Sequence, residues 1–414
     1  MSGAHSAGAL ACVMGGGMDL VRPLGLAGIA CAVVTQPGSP SVYSRFTRAA
    51  LYWDDLSEGA EKLVDALVRF GAAQAEPPVL FYTEDAHLLL VSRYRRRLRS
   101  TFRFVIGDEQ LIEDLVDKAR FQALAERLHL PVPATRRICA TGSSPPRLDL
   151  HFPIIIKPPT RDSDWSAAWG QRKALQVETP AVMAELWPQL VASGTDLLAQ
   201  ELIPGPESRI ESYHVYIDDQ GAIVGEFTGR KIRTRPNVFG FSTALETTDK
   251  TDVTTTGRAL VQRLNLRGVA KVDFKRGPDD RLHILEINPR FNLWHHLGAV
   301  SGVNLPALVY ADAVGRPRPA IRAARAGVRW CLLWHDILAA GETGIPLAVW
   351  LPWALHCEAK SAAAWDDPMP LLRGAWSRCW SRMRAMWAAW SVVRRALLWF
   401  RARGADRTQP AREA

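Results

Sequence analysis

The chain has 414 residues, 48% hydrophobic and 22% charged, with a formal net charge of +9. These values exclude a disordered, collagenous or coiled-coil chain, and at roughly 100–200 residues per domain the length predicts two to three domains. The charge is local: residues 371–414 hold ten Arg against two acids, and ten of the 15 Trp lie between Trp330 and Trp399. The nearly neutral remainder offers no basic surface for nucleic acid, so no such partner is expected.

Cys12, Cys31, Cys139, Cys331, Cys357 and Cys379 form no CxxC pair. In a chain this long, that speaks against a disulfide scaffold or zinc ribbon. Met1 to Gly8 lacks a basic cluster, and no apolar run reaches about 18 residues, so neither a secretory signal nor a membrane span is expected. The expected location is cytoplasmic.

In chain order, residues 9–14 read as a buried strand. Gly15, Gly16 and Gly17 follow, with Asp19 as a helix cap, then strands at Ala30–Val34 and Val79–Tyr82. This is an open α/β start. A dinucleotide fingerprint fails: Leu20 stands where Gly or Ala belongs, and Thr35-Gln36 supplies no acid for a ribose. A tight strand-to-helix turn is the better reading. A helix is expected over 111–130, and Thr141–Arg147 reads as a surface turn. Strand-rich blocks follow at His151–Lys157, Leu197–Ile203, Tyr213–Ile217 and Ala222–Arg235. After them come a helix at Thr255–Leu264, a hairpin over Gly268–Asn288 and helix over 290–320.

The hairpin is the most informative segment. Gly277-Pro278-Asp279-Asp280 is turn chemistry between two strands. Glu286 and Asn288, two apart, point to one face, and symmetric closure puts Asp273 opposite Glu286. Facing carboxylates repel. A hard divalent cation removes the conflict, and two carboxylates with an amide oxygen suit Mg²⁺ (or Mn²⁺). The bland alternative is a solvated hairpin with incidental acids.

Such a site also needs cations for phosphates. Lys157 ends the apolar strand Phe152–Ile156 and can reach a phosphate as a point charge; the alternative is a snorkelling surface lysine. Lys231, Arg233 and Arg235 alternate, so three cations are expected on one face. Thr160–Gln171 reads either as a mobile flap or as a disordered loop.

Together these residues resemble the ATP-grasp superfamily of carboxylate–amine (or carboxylate–thiol) ligases, over roughly residues 105–315. Asp117-Lys118, followed by Leu130-Pro131-Val132-Pro133, resembles its first lysine helix. Ile154–Lys157-Pro158 resembles the strand with the second phosphate lysine. Gln200-Glu201-Leu202-Ile203-Pro204-Gly205-Pro206-Glu207 resembles the hinge between two lobes. The resemblance implies adenine at the backbone near Glu201, Leu202 and Ile203, ribose at Glu207, and ATP contacts from Lys118, Lys157, Gln200 and Lys231. It further implies metal ligands at Asp273, Glu286 and Asn288, with Arg290, Lys231 and Arg233 as catalytic cations. Phe291–His296 resembles a branch that includes D-aspartate ligases. His295 and His296 either touch substrate or pack inside.

The implied fold class is α/β (α+β). A pre-ATP-grasp domain spans 1–108 and a two-lobed ATP-grasp domain 109–320, with the small lobe at about 135–203 and the large lobe at about 204–320. A helical Trp/Arg-rich extension follows at 321–403, then a disordered tail at 404–414. The implied activity is ADP-forming ligation of a small-molecule carboxylate to an amine, using ATP and Mg²⁺. The rivals are a nucleotide-binding module without turnover and a nicotinamide oxidoreductase built on Gly15–Gly17. In the extension Trp376, Trp380, Met383, Trp387 and Trp390 share one helical face, with Arg378, Arg382, Arg384 and Arg395 away from it. Three readings stand: a peripheral contact of 371–403 with the inner face of an anionic membrane, packing on the body, or a homodimer seam.

Overall fold

A computed structural model describes residues 8–53, 59–159, 163–170, 172–193 and 196–377. The tail and most of the Trp stripe, from Trp380 onward, lie outside the described residues. Trp376 is described and is exposed.

The N-terminal unit alternates strand and helix: β1 (Ala11–Met14), α1 (Met18–Leu26), β2 (Cys31–Thr35), β3 (Thr47–Tyr52), α2 (Ala60–Ala72), β4 (Val79–Tyr82), α3 (Asp85–Arg93) and α4 (Arg95–Leu98). The strands form one parallel sheet in the order β3-β2-β1-β4. β1 and β4 are buried along their whole length, as their unbroken apolar runs demand. The edge strand β3, Thr47–Tyr52, is only partly buried and was not among the expected strands. The order reverses between β1 and β4, and their carboxyl ends open a crevice there, at Gly15 and Thr83. Gly15 and Gly16 take left-handed φ of 84° and 59°; a Cβ on Gly15 would lie 2.4 Å from Thr83 Oγ1. The glycines are therefore required by the turn itself.

The expected helix over 111–130 is two, α5 (Glu109–Val116) and α6 (Lys118–Arg127). Asp117 breaks it. Its backbone is extended and its carboxylate caps α6, accepting from Ala119 N at 2.8 Å and Arg120 N at 2.9 Å. β5 (Thr135–Cys139), β6 (Ile154–Lys157), α7 (Ser163–Trp169), β7 (Leu175–Val177), α8 (Pro180–Ala192) and β8 (Asp196–Glu201) make the small lobe. Its sheet is antiparallel, in the order β5-β8-β6-β7. The segment expected as a flap or loop contains α7, anchored by Trp165. That side chain is buried and its indole donates to Arg172 O at 2.7 Å.

The large lobe follows: β9 (Ile210–Ile217), β10 (Ile223–Arg235), β11 (Phe241–Thr248), α9 (Thr251–Arg263), β12 (Gly268–Arg276), β13 (Leu282–Asn288), α10 (His295–Ser301) and α11 (Leu305–Val314). The extension adds β14 (Arg329–Cys331), α12 (Leu333–Glu342), α13 (Leu347–His356) and β15 (Ala359–Lys360). It is helical as expected, but β14 and β15 also complete the large sheet, β13-β12-β9-β10-β11-β14-β15. Among the described residues no single helix is long and apolar enough to cross a membrane.

One apolar core joins the N-terminal unit to the large lobe. Phe291 packs on Phe81 with ring centroids 4.9 Å apart, and Phe291 N donates to Tyr82 O. Trp330 of β14 donates to Asp19 Oδ1 of α1 at 2.8 Å.

Candidate active site

The β12–β13 ladder closes in the expected register, with Asp273 opposite Glu286 and Lys271 opposite Asn288. All four side chains share one face, because 271 and 273, like 286 and 288, are two apart. Asp273 is 1% exposed. Lys271 Nζ lies 2.7 Å from Asp273 Oδ2 and 3.7 Å from Glu286 Oε1. Lys231 Nζ of β10 stands 3.9 Å from Asp273 Oδ2, and Ser212 Oγ of β9 donates to Asp273 Oδ1. Burial alone would raise the Asp273 carboxyl, but Lys271, Lys231 and Ser212 outweigh it and hold the group far below the usual carboxylate range. The same pairing raises Lys271 despite its burial. Glu286 is half exposed and accepts from Asn288 Nδ2 at 3.0 Å.

This face looks into two adjoining clefts. One, of about 100 Å³, lies between the lobes and is lined by Lys118, Lys157, Gln200, Glu286 and Asn288. Lys157 Nζ donates to Gln200 Oε1 at 2.9 Å and Lys118 Nζ to Pro159 O at 2.8 Å. Burial, and secondarily the Lys118 charge, push Lys157 down to about 8, opposed by Glu286. The other cleft, of about 380 Å³, reaches the N-terminal unit. Lys173, Lys231, Lys271 and Arg290 line it beside Asp273 and Glu286, and Gly15, Asp19 and Glu84 face them. Arg290 is aimed by three contacts. It donates to Asp85 Oδ1 at 2.5 Å, Thr83 O at 3.0 Å and Asn288 Oδ1 at 3.3 Å.

The donor set fits a hard divalent cation. Asp273 and Glu286, paired across the ladder, and the amide oxygen of Asn288 would hold such an ion, although no three His, Cys, Asp or Glu side chains converge among the described residues. The remaining positions fall to water and phosphate oxygens, as Mg²⁺ prefers. The Lys271 ammonium, within reach of both carboxylates, is already a cation at that spot.

Residues 194–333 match the family model described as ATP-grasp in the biosynthetic pathway with Ter operon. The ADP complex of N5-carboxyaminoimidazole ribonucleotide synthetase superposes with a TM-score of 0.58 at 13% identity, covering 78% of this chain and 80% of that one. The chain has the ATP-grasp fold. The L-amino acid ligase from Bacillus licheniformis is similar too, at 12% identity and a TM-score of 0.58 over 76% of each chain. In sequence, the D-aspartate ligase of Enterococcus faecium (strain Aus0004) is 24% identical over 240 residues, 56% of this chain. The chain thus spans 57% of that relative's length.

Within the ATP-grasp frame, Lys118, Lys157, Gln200, Lys231, Asp273, Glu286, Asn288 and Arg290 are brought to the two joined clefts. Glu201, Leu202, Ile203 and Glu207 line neither. The Glu201 carboxylate accepts from His151, and Leu202 N donates to Pro153 O. Glu207 lies on the hinge beside Lys275, whose ammonium donates to Gly205 O at 2.7 Å.

The expected row of three cations does not form. A bulge after Lys231 breaks the alternation, and Arg233 turns to Asp336 of α12, donating at 2.9 and 2.6 Å, while Arg235 pairs with Glu342. Arg233 is a structural ion pair, not a cleft residue. His295 and His296 are 0% and 4% exposed, line neither cleft, and are pushed down to about 3, chiefly by burial. Both rings are packed inside the protein.

Sequence reasoning missed Lys271, Asp85 and Glu84. Lys271 was within reach, since it stands two residues before Asp273 on the same face. The acids were not, because only the fold brings the end of β4 to the hairpin.

Proposed function

We propose that the chain is an ATP- and Mg²⁺-dependent ligase that activates a carboxylate for attack by an amine and forms ADP. The observation that carries this reading is the facing pair Asp273–Glu286, with Lys157 and Lys118 on one side and Lys231 and Arg290 on the other. A carboxylate oxygen attacks the γ-phosphorus, the bond to the ADP oxygen breaks, and an acyl phosphate results. An amine then attacks the carbonyl carbon, the C–O bond to phosphate breaks, and the ammonium protons pass to solvent. Bound Mg²⁺ would neutralise charge on the phosphoryl oxygens. Lys157 and Lys118 hold the polyphosphate, and Lys231 and Arg290 face the transferring group.

The test is acid-dependent ADP release, with hydroxylamine trapping the acyl phosphate as hydroxamate. D-aspartate belongs among the acids because a relative is a D-aspartate ligase. Glu286→Ala is expected to lower Mg²⁺-dependent turnover by at least about 10²-fold with the fold retained. Unchanged activity would sink the metal assignment. Tight Mg·ATP binding with no turnover on any acid would make the chain a nucleotide-binding module.

A second reading concerns the extension. α13 is apolar yet exposes Leu347, Val349, Leu351 and Leu355, and Trp334 and Trp365 of the same extension are exposed too. We propose that this face and the Arg-rich residues after it contact an anionic lipid surface. Full-length protein should co-sediment with phosphatidylserine vesicles more than a Leu351→Glu/Leu355→Glu variant, and more than a chain ending at Pro370. Equal partition would remove the idea, and a concentration-dependent dimer in its place would assign the face to a second copy.

A further inference from the structure

The N-terminal unit carries a cavity that the proposed chemistry does not yet use. It measures about 650 Å³ and opens at the carboxyl ends of the parallel strands, where Thr35, Gln36, Trp53, Glu84 and His87 surround Gly15. Gly15 and Glu84 also line the 380 Å³ cleft, so the two spaces meet at that corner.

The charge on the two sides is opposite. Lys173, Lys231, Lys271 and Arg290 stand on the far wall of the cleft, which suits phosphate and carboxylate oxygens. Among the described residues no Lys or Arg lines the cavity. Helices α1 and α3 begin here, and their first turns already carry Asp19 and Asp85, with Glu84 at the cap of α3. Of these acids only Glu84 lines the cavity, and its carboxylate, with no Lys or Arg among the described residues beside it there, disfavours a further anion.

His87 provides the independent sign of a ligand. It is 8% exposed, and its Nδ1 is buried without a partner. The ring edge faces the glycine turn, with Cε1 3.1 Å and Nδ1 3.5 Å from where a Cβ on Gly15 would stand. A buried polar nitrogen of this kind is costly unless something bonds to it.

We infer that this cavity is the site of the amine co-substrate, a primary amine on a polar body without net negative charge. The inference rests on the ligase reading. Glu84 binds the ammonium at the corner beside Gly15 and accepts one of its protons, so that the neutral amine meets the carbonyl to be attacked, and His87 bonds to the ligand. Thr35 and Gln36 offer hydrogen bonds to the body, and Trp53 a flat apolar wall. A volume of this order fits a ligand larger than a simple amino acid.

The experiment measures how amines divert acyl phosphate from hydroxamate. The acid is whichever gives hydroxamate with the wild type, from a panel of D- and L-amino acids. The amine probes are glucosamine, serinamide and lysinamide, with glutamate as the anionic control. At least one of the three should divert the acyl phosphate and glutamate should not. In Glu84→Gln the concentration giving half-diversion should rise tenfold or more when diversion is measured against that variant's own hydroxamate rate. Hydroxamate without diversion by any probe overturns the inference, as does diversion that Glu84→Gln leaves unchanged or preferential diversion by glutamate. Absence of hydroxamate with every acid overturns the ligase reading itself, and this inference with it.

Discussion

Lys271 shows how one side chain reconciles a buried acid with a half-exposed one. Its ammonium sits 2.7 Å from Asp273 and 3.7 Å from Glu286, so the two carboxylates do not face each other in bare repulsion. Removing one partner of a buried pair costs about 3–5 kcal/mol, and Lys231, at 3.9 Å, will recover part of that. Lys271→Met should therefore lower Tm, and millimolar Mg²⁺ should restore more stability to the variant than it adds to the wild type. Equal Mg²⁺ effects in calorimetry would refute that competition. Lys157 gives a pH signature. Pushed down to about 8, it is charged at pH 7 and loses its proton as pH rises through 8. Nucleotide affinity should weaken between pH 7 and 9 in a titration with a fluorescent ATP analogue, and Lys157→Arg should flatten the profile. The facing acids and the strand-end lysine were legible because a two-residue period fixes which side chains share a face. The destination of Arg233 was not, since a bulge of one residue reverses a face and leaves no mark in composition.

Among the elements, α12 matters more to the large lobe than a peripheral helix would. Asp336 is 0% exposed and accepts from Arg233, Thr243 and the Trp350 indole, tying β10, β11 and α13 together. Arg233 also lies over the Trp353 ring, 4.0 Å from its centroid. Asp336→Ala should destabilise the fold by about 3–5 kcal/mol in denaturant unfolding, because it strands a largely buried guanidinium in apolar surroundings. A loss under 1 kcal/mol would mean that water reaches the arginine. Strands β1, β4, β12 and β13 were readable from their apolar runs and turn residues. The short strands β7, β14 and β15 span two or three residues each and carry no period long enough to detect.

At the scale of the whole molecule, the cleft belongs to two units. Arg290 of the large lobe is held by Asp85 and the Thr83 carbonyl of the N-terminal unit. Asp85→Ala should leave nucleotide Kd unchanged and lower kcat about tenfold, since a loosened cation loses orientation more than charge. A change in Kd alone would assign Arg290 to ground-state binding. The sequence divides the chain after residue 320, but hydrogen bonding does not. Cys331, Trp330 and Arg329 pair with Ala244, Leu245 and Glu246, so β14 covers the open side of β11. A protein trimmed at that apparent boundary would present unpaired amides beside Ala244 and Leu245, a template on which a second molecule could add its own strand. The extension that the sequence sets apart after residue 320 is thus the fold's guard against self-association into insoluble ladders.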